Sequence, residues 1–271
     1  MKLKQRNKLI LYKKEYEKEY FQANIIYISL AGRIGNILFQ LAAAASLAKL
    51  HNCKFIAIPI HDKVAEPDNC ILYEYLHQFK YTILRNIDIR KKPSTPYHNI
   101  YTEPFFHYKP INYSPLLLIY DYYQSEKYFD PLLIRKMFAI DKITKMSLSK
   151  KYGSILKFPN ITSINVRRGD YLRHQDQFSV CSLKYYQQAI KAIGSNSPFL
   201  VTSDDLEWCK RSFKGENFYF AEQTNPTYDL YLQTLCKNNI ISNSTFSWWG
   251  AWLNNTSNKT VIAPKKWFGP K

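Results

Sequence analysis

"ITSINVRRGDYL" (residues 161–172) runs a short apolar segment, Ile161 to Val166, directly into two arginines, a glycine and an aspartate. The segment reads as a strand and the glycine as a tight turn. Two adjacent guanidiniums repel each other, so the pair at this strand end needs either an anionic ligand or a carboxylate partner. One arginine can grip a phosphate with its planar fork, and two can bracket a diphosphate. The alternative is a structural ion pair of Arg168 with Asp170 or another acid.

The same alternation of strand and helix continues outward from this stretch. Downstream, helices are expected at 182–193, 205–213, 226–237 and 244–254, with strands at 198–203, 217–220, 239–242 and 260–263. Upstream, strands are expected at 24–31, 54–60 and 116–123, with helices at 36–50 and 131–140. Strands alternating with helices imply parallel sheets in α/β layers. Two such runs flank an irregular Tyr-, Pro- and His-rich centre, so the chain divides into a basic N-terminal extension (1–23), one α/β domain at 24–155 and a second at 156–271. The lysine-rich stretch at 142–158 is the expected linker.

Composition narrows the function classes. The chain has 271 residues, 46% hydrophobic and 16% aromatic, enough for a sizeable core and unlike a disordered protein. A net charge of +17 favours acidic partners, whether nucleic acid, an anionic membrane surface or a phosphorylated substrate. Five cysteines are dispersed without a CxxC pair, as in a cytoplasmic protein with reduced thiols, and no metal site is expected. No segment reads as a membrane span. The first twenty residues carry seven Lys/Arg and three Glu with interleaved apolar residues. A solvated extension is the plainer reading, and peripheral contact with an anionic bilayer the functional one.

Ligands of open parallel sheets bind beyond the carboxyl ends of the strands, and four stretches fall there. "GRIGN" places Gly32, Gly35 and Asn36 between a strand and a helix N-terminus, where free amides favour anions. "NVRRGD" contributes Asn165, Arg167, Arg168 and Asp170. "VTSDDLEWC" offers Ser203 or Asp204 as a helix N-cap. "SNSTFSWWGAW" loads Asn243, Ser244, Thr245 and Ser247 onto a helix start, a donor-rich cradle for phosphate oxygens, while Trp248, Trp249 and Trp252 suit packing. No Asp-x-Asp occurs, which removes the usual carboxylate pair for a divalent ion on a nucleotide diphosphate.

Taken together, "GRIGNILFQLAAAASLAK", "YYQSEKYF", "VRRGDY", "SDDLEWCK" and "ISNSTFSWWGAWLN" closely resemble the α-1,2-fucosyltransferases of glycosyltransferase family 11. The resemblance implies a GT-B-like fold of two Rossmann-like domains facing each other across a cleft. It implies inverting, metal-independent transfer of L-fucose from GDP-fucose to the 2-hydroxyl of a terminal β-galactoside, on a surface glycan or its lipid-linked precursor. It assigns Arg167 to the leaving diphosphate with Arg168 beside it, and Ser244, Thr245 and Phe246 to the phosphates. Asp229 is assigned to the guanine, and Asn36 to the donor from the N-terminal domain. Asp170 is the candidate base, or else it orients Arg168. Two departures stand out: Asn165 where the family usually has His, and Asp121 where it usually has Gly. Another GDP-activated deoxysugar is therefore an alternative donor, and a basic nucleic-acid-binding protein is the alternative of a different class.

Overall fold

The computed structural model describes residues 24–59, 76–77, 79–104, 107–222 and 224–269. These form two compact units, each with its own parallel sheet. The basic segment 1–23 and Cys70 lie outside the described residues.

The first unit contains β1 (Ile25–Leu30), α1 (Ile34–Leu50), β2 (Lys54–Pro59), β3 (Asn99–Thr102) and β4 (Leu117–Tyr120). The strands line up β2-β1-β4-β3, and every pairing is parallel. Helix α1 is buried almost all round, because Ala42, Ala43, Ala44 and Ala45 let it lie close against its neighbours. It begins at Ile34, so Gly35 and Asn36 sit in its first turn. Strand β3 escaped the sequence reading because it is a four-residue element with only Tyr101 not fully exposed.

The second unit contains α3 (Lys142–Leu156), β5 (Thr162–Val166), α4 (Leu183–Ile193), β6 (Phe199–Ser203), α5 (Leu206–Ser212), β7 (Phe218–Phe220), α6 (Pro226–Thr234), β8 (Asn238–Ile240), α7 (Thr245–Leu253) and β9 (Val261–Ile262). Helix α2 (Pro131–Met137) precedes α3 and spans the division between the units. The sheet order is β7-β6-β5-β8-β9, again all parallel. In chain order this is 3-2-1-4-5, with the reversal between β5 and β8. All five residues of β5 are buried, with Ile164 and Val166 packed among Tyr186, Phe199, Val201, Phe213 and Ile240.

The expected linker at 142–158 is corrected to a helix. Asp141 caps α3, its Oδ1 accepting from Thr144 N at 2.9 Å. Only Thr144, Leu148 and Tyr152 are buried, a stripe at i, i+4 and i+8 too thin to show against the lysines. Among the described residues the two compact units divide near 134/135, with 76–77 and 79–85 in the second, where the sequence placed the boundary at 155/156. Phe138 explains part of this: it packs edge-on against Trp249, and Tyr231 Oη donates to its carbonyl at 3.2 Å.

Candidate functional site

The reversal between β5 and β8 opens the carboxyl edge of the second sheet, and the sequence delivers its unusual loops there. Strand β5 ends at Val166, opposite Ser203 of β6, so Arg167 and Arg168 emerge beside Asp204 and Asp205. Each guanidinium is held. Arg167 Nη1 donates to Asp204 Oδ2 at 2.6 Å, and its Nη2 donates to Asp170. Arg168 Nε donates to Asp205 Oδ2 at 3.0 Å, and the Arg168 amide donates to Asp204 Oδ1 at 2.9 Å. Arg168 also lies 4.2 Å over the Trp208 ring, and Arg167 5.1 Å over Tyr171. These side chains are all less than one-third exposed.

Two expectations change here. Asp170 pairs with Arg167 and not with Arg168, because the short 3-10 turn at Asp170–Leu172 brings it back over the strand end. The N-cap of α5 is Asp205 instead of Ser203 or Asp204: its Oδ1 accepts from Trp208 N at 3.1 Å. Burial raises the Asp205 pKa, but the bonds from Arg168 and the Trp208 amide outweigh it and leave the value lowered.

Tyr171 joins this loop to the next one, its hydroxyl donating to the Asn243 carbonyl at 3.2 Å. Ser244 is the N-cap residue of α7, and Thr245, Phe246 and Ser247 form its first turn. Within this stretch the polar side chains divide by task. Asn243 Nδ2 donates to the carbonyls of Ser179 and Trp267, at 2.6 and 2.8 Å. Ser247 Oγ donates to the carbonyls of Ser242 and Ser244, and both residues are buried. These two hold the loop's shape, while Thr245 and Phe246 keep partial exposure. Trp249 is fully buried, and Trp248 stacks on Trp252.

Asn165 lies inside the sheet rather than on its rim. Its Nδ2 donates to Thr202 Oγ1 and its Oδ1 accepts from Ser242 Oγ, each at 3.0 Å. It thus stitches β5 to both neighbouring segments, and its side chain's carbonyl and amide are used there.

Asp229 is the site's unusual acid. It lies on α6, beyond the carboxyl end of β7, and its buried Oδ1 has no hydrogen-bond partner. Burial raises its pKa from an ordinary 3.8 to about 6, and the Thr224 hydroxyl and Lys151 only partly counter this. A buried carboxylate oxygen without a donor is costly unless a ligand supplies one.

In the first unit, the turn after β1 holds Gly32 at φ +75°, and a Cβ there would meet Asn36 Nδ2 at 2.7 Å. Asn36 Oδ1 accepts from Gln124 Nε2 at 3.0 Å. Sequence reading missed Gln40, which is buried and ties the two strand ends together. Its Oε1 accepts from Ala31 N at 3.1 Å and its Nε2 donates to the Asp121 carbonyl at 3.2 Å. Asp121 has φ +145°, a region that favours glycine, and is held there by Glu103 N donating to its Oδ2 at 2.9 Å. Among the described residues, no group of three or more His, Cys, Asp or Glu side chains is placed to hold a metal ion.

An all-parallel sheet whose strand order reverses between β5 and β8, with two arginines and a helix start beyond its carboxyl edge, has the arrangement at which open α/β sheets commonly hold ligands. The chain belongs to glycosyl transferase family 11, whose profile matches residues 1–269. It is 31% identical to the O-antigen biosynthesis glycosyltransferase WbnK of Escherichia coli, over 90% of this chain and 95% of the relative. It is 34% identical to an Escherichia coli alpha-1,2-colitosyltransferase, over 54% of each chain. A galactoside 2-alpha-L-fucosyltransferase of Bos taurus is 24% identical over 86% of this chain and 65% of its own length. In fold, the chain resembles POFUT1 in complex with GDP, with a TM-score of 0.55 at 11% identity, covering 90% of this chain and 99% of that one. The fucosyltransferase NodZ from Bradyrhizobium gives 0.54 at 12% identity, over 84% and 92%.

Proposed function

We propose that the protein transfers L-fucose from GDP-fucose, with inversion and without a metal ion, to the 2-hydroxyl of a terminal β-galactoside on a surface glycan or its precursor. The observation that carries this reading is the pair Arg167 and Arg168, locked by carboxylates at the reversal of the second sheet. The described bonds use two of the five N–H groups of Arg167 and one of those of Arg168 side chain. The remaining guanidinium donors are proposed to reach diphosphate oxygens.

As the bond from the sugar's anomeric carbon to the β-phosphate oxygen breaks, positive charge grows on the sugar and negative charge on the diphosphate. Donors fixed beforehand stabilise that charge more in the transition state than in the ground state, and cost little reorganisation. Three carboxylates against two guanidiniums leave the cluster at a formal −1, so what it offers a diphosphate is aimed hydrogen bonds and not net positive charge. Arg167 and Asn36 are the proposed catalytic residues, and Asp170, the candidate base by sequence, is proposed as a positioning residue. Asp170 in its pair with Arg167 is better placed to hold that guanidinium than to accept the acceptor's proton. Ser244, Thr245 and Phe246 are proposed to hold phosphate oxygens, and Asp229 to accept from the guanine's N–H groups through its unpartnered oxygen.

A second reading, with another GDP-activated deoxysugar as donor, is favoured by the likeness to the alpha-1,2-colitosyltransferase. GDP release in EDTA, measured with GDP-fucose and with GDP-mannose beside a lactose or N-acetyllactosamine acceptor, tests the proposal. Acceptor-dependent release from GDP-fucose alone is expected. GDP binding without release from GDP-fucose would shift the reading to another donor sugar or acceptor. Loss of release in EDTA with recovery on adding Mg2+ or Mn2+ would overturn metal independence.

A further inference from the structure

We propose that the outward face of α3 is a contact surface for anionic lipid bilayers. The helix runs from Lys142 to Leu156 and turns only Thr144, Leu148 and Tyr152 into its unit. On the opposite side, Ile143 is 78% exposed and Met146 63% exposed, one helical turn apart. Lys142, Lys145 and Lys150 flank this apolar pair, and all three are exposed. Just beyond the helix, Lys157 and Phe158 are exposed as well. From Lys142 to Phe158 there is no Asp or Glu.

A helix face that only had to be solvated would not need a large aliphatic side chain and a methionine among its lysines. A surface that tracked nucleic-acid phosphates would need the lysines and gain nothing from Ile143 and Met146. Apolar side chains reaching into the acyl boundary, with lysines at headgroup level, use both sets. Lysine stems extend far enough for the ammonium groups to stay in the headgroup layer while Ile143 and Met146 insert. None of Lys142, Ile143, Lys145, Met146 and Lys150 takes part in the described bonds of Arg167 and Arg168.

The test is co-sedimentation of the full-length protein with sucrose-loaded vesicles, either phosphatidylcholine alone or phosphatidylcholine with phosphatidylglycerol, at about physiological salt. Because residues 1–23 are also basic, the α3 variants decide the matter, not the wild type alone. Wild-type protein is expected to sediment only with the phosphatidylglycerol vesicles. Each lysine near a charged surface contributes roughly fivefold, so the triple change Lys142→Gln, Lys145→Gln, Lys150→Gln should weaken binding about 100-fold. The double change Ile143→Ser, Met146→Ser should weaken it at unchanged net charge. Both variants should keep wild-type GDP release with a soluble acceptor, which shows that they fold. Wild-type affinity in either variant, or no vesicle binding by the wild type, overturns the proposal. So does tight binding of duplex DNA that needs the lysines, ignores Ile143 and Met146, and occurs without vesicle binding.

Discussion

Replacing Arg167 by alanine tests whether that residue does chemistry or only holds the loop together. Its guanidinium lies between Asp170 and Asp204, with 15% of the side chain exposed. Removal leaves two carboxylates close to each other without their shared cation, although Asp204 Oδ1 keeps the Arg168 amide. A fully buried broken pair costs about 3–5 kcal/mol and an exposed one under about 1. This site lies between the two, so the loss should be about 1–3 kcal/mol, a fall in melting temperature of roughly 2–10 °C. Losing one fixed donor to a developing oxyanion costs about 100- to 1000-fold in turnover. The double variant Arg167→Ala/Asp204→Asn separates the two effects, because it removes the uncompensated charge without restoring the donor. Melting by calorimetry should recover partly in the double variant, while single-turnover GDP release stays at the level of Arg167→Ala. If turnover recovers together with stability, Arg167 is a structural residue and the diphosphate argument fails.

Asp229→Asn should stabilise the protein at pH 7 and weaken GDP binding. The folded-state pKa of about 6 stands above the ordinary 3.8, so ionising this carboxyl lowers stability as pH rises from about 4 to beyond 6. At about 1.4 kcal/mol per tenfold change in proton affinity, removing the charge gains about 1–3 kcal/mol at pH 7. That gain should vanish below about pH 4, where the native residue is protonated in both states; urea titrations at pH 4 and 7 with GDP calorimetry check both parts, and unchanged GDP affinity would count against a base-reading role. Asn165→Ala leaves Thr202 and Ser242 without their shared partner and should cost about 2–3 kcal/mol in chemical denaturation. At Asp121, glycine should be more stable than alanine by about 1–2 kcal/mol, since both lose the bond to Glu103 N but only glycine relieves φ +145°. Equal thermal stability of the two variants would mean that the backbone there carries no strain.

The α/β class, the parallel alternation and nearly every strand and helix from Thr162 onward are legible in the amino-acid order, because most elements there have an apolar run or a cap that acts locally. Asp-Asp before α5 is such a signal, and it reads correctly as a helix start even though the capping residue is Asp205 and not Asp204. The placing of Arg167, Arg168 and Ser244 on one sheet edge also followed from sequence, since strand ends and the carboxyl-edge rule suffice for it. What the chain does with those residues did not follow. Whether Asp170 meets Arg167 or Arg168 depends on one 3-10 turn, and Asp204 and Asp205 reach the arginines only because Val166 lies opposite Ser203. Asn165, expected among the donor-binding residues, faces Thr202 and Ser242, a consequence of strand order that no local pattern encodes. Helix α3 hid its three-residue stripe behind lysines, and its membership in the second unit rests on long-range contacts such as Tyr152 Oη donating to the Glu222 carbonyl at 2.9 Å. Local propensity and periodicity are written in neighbouring residues, whereas ion-pair partners and unit membership are set by register between segments tens of residues apart, and only the folded chain fixes that register.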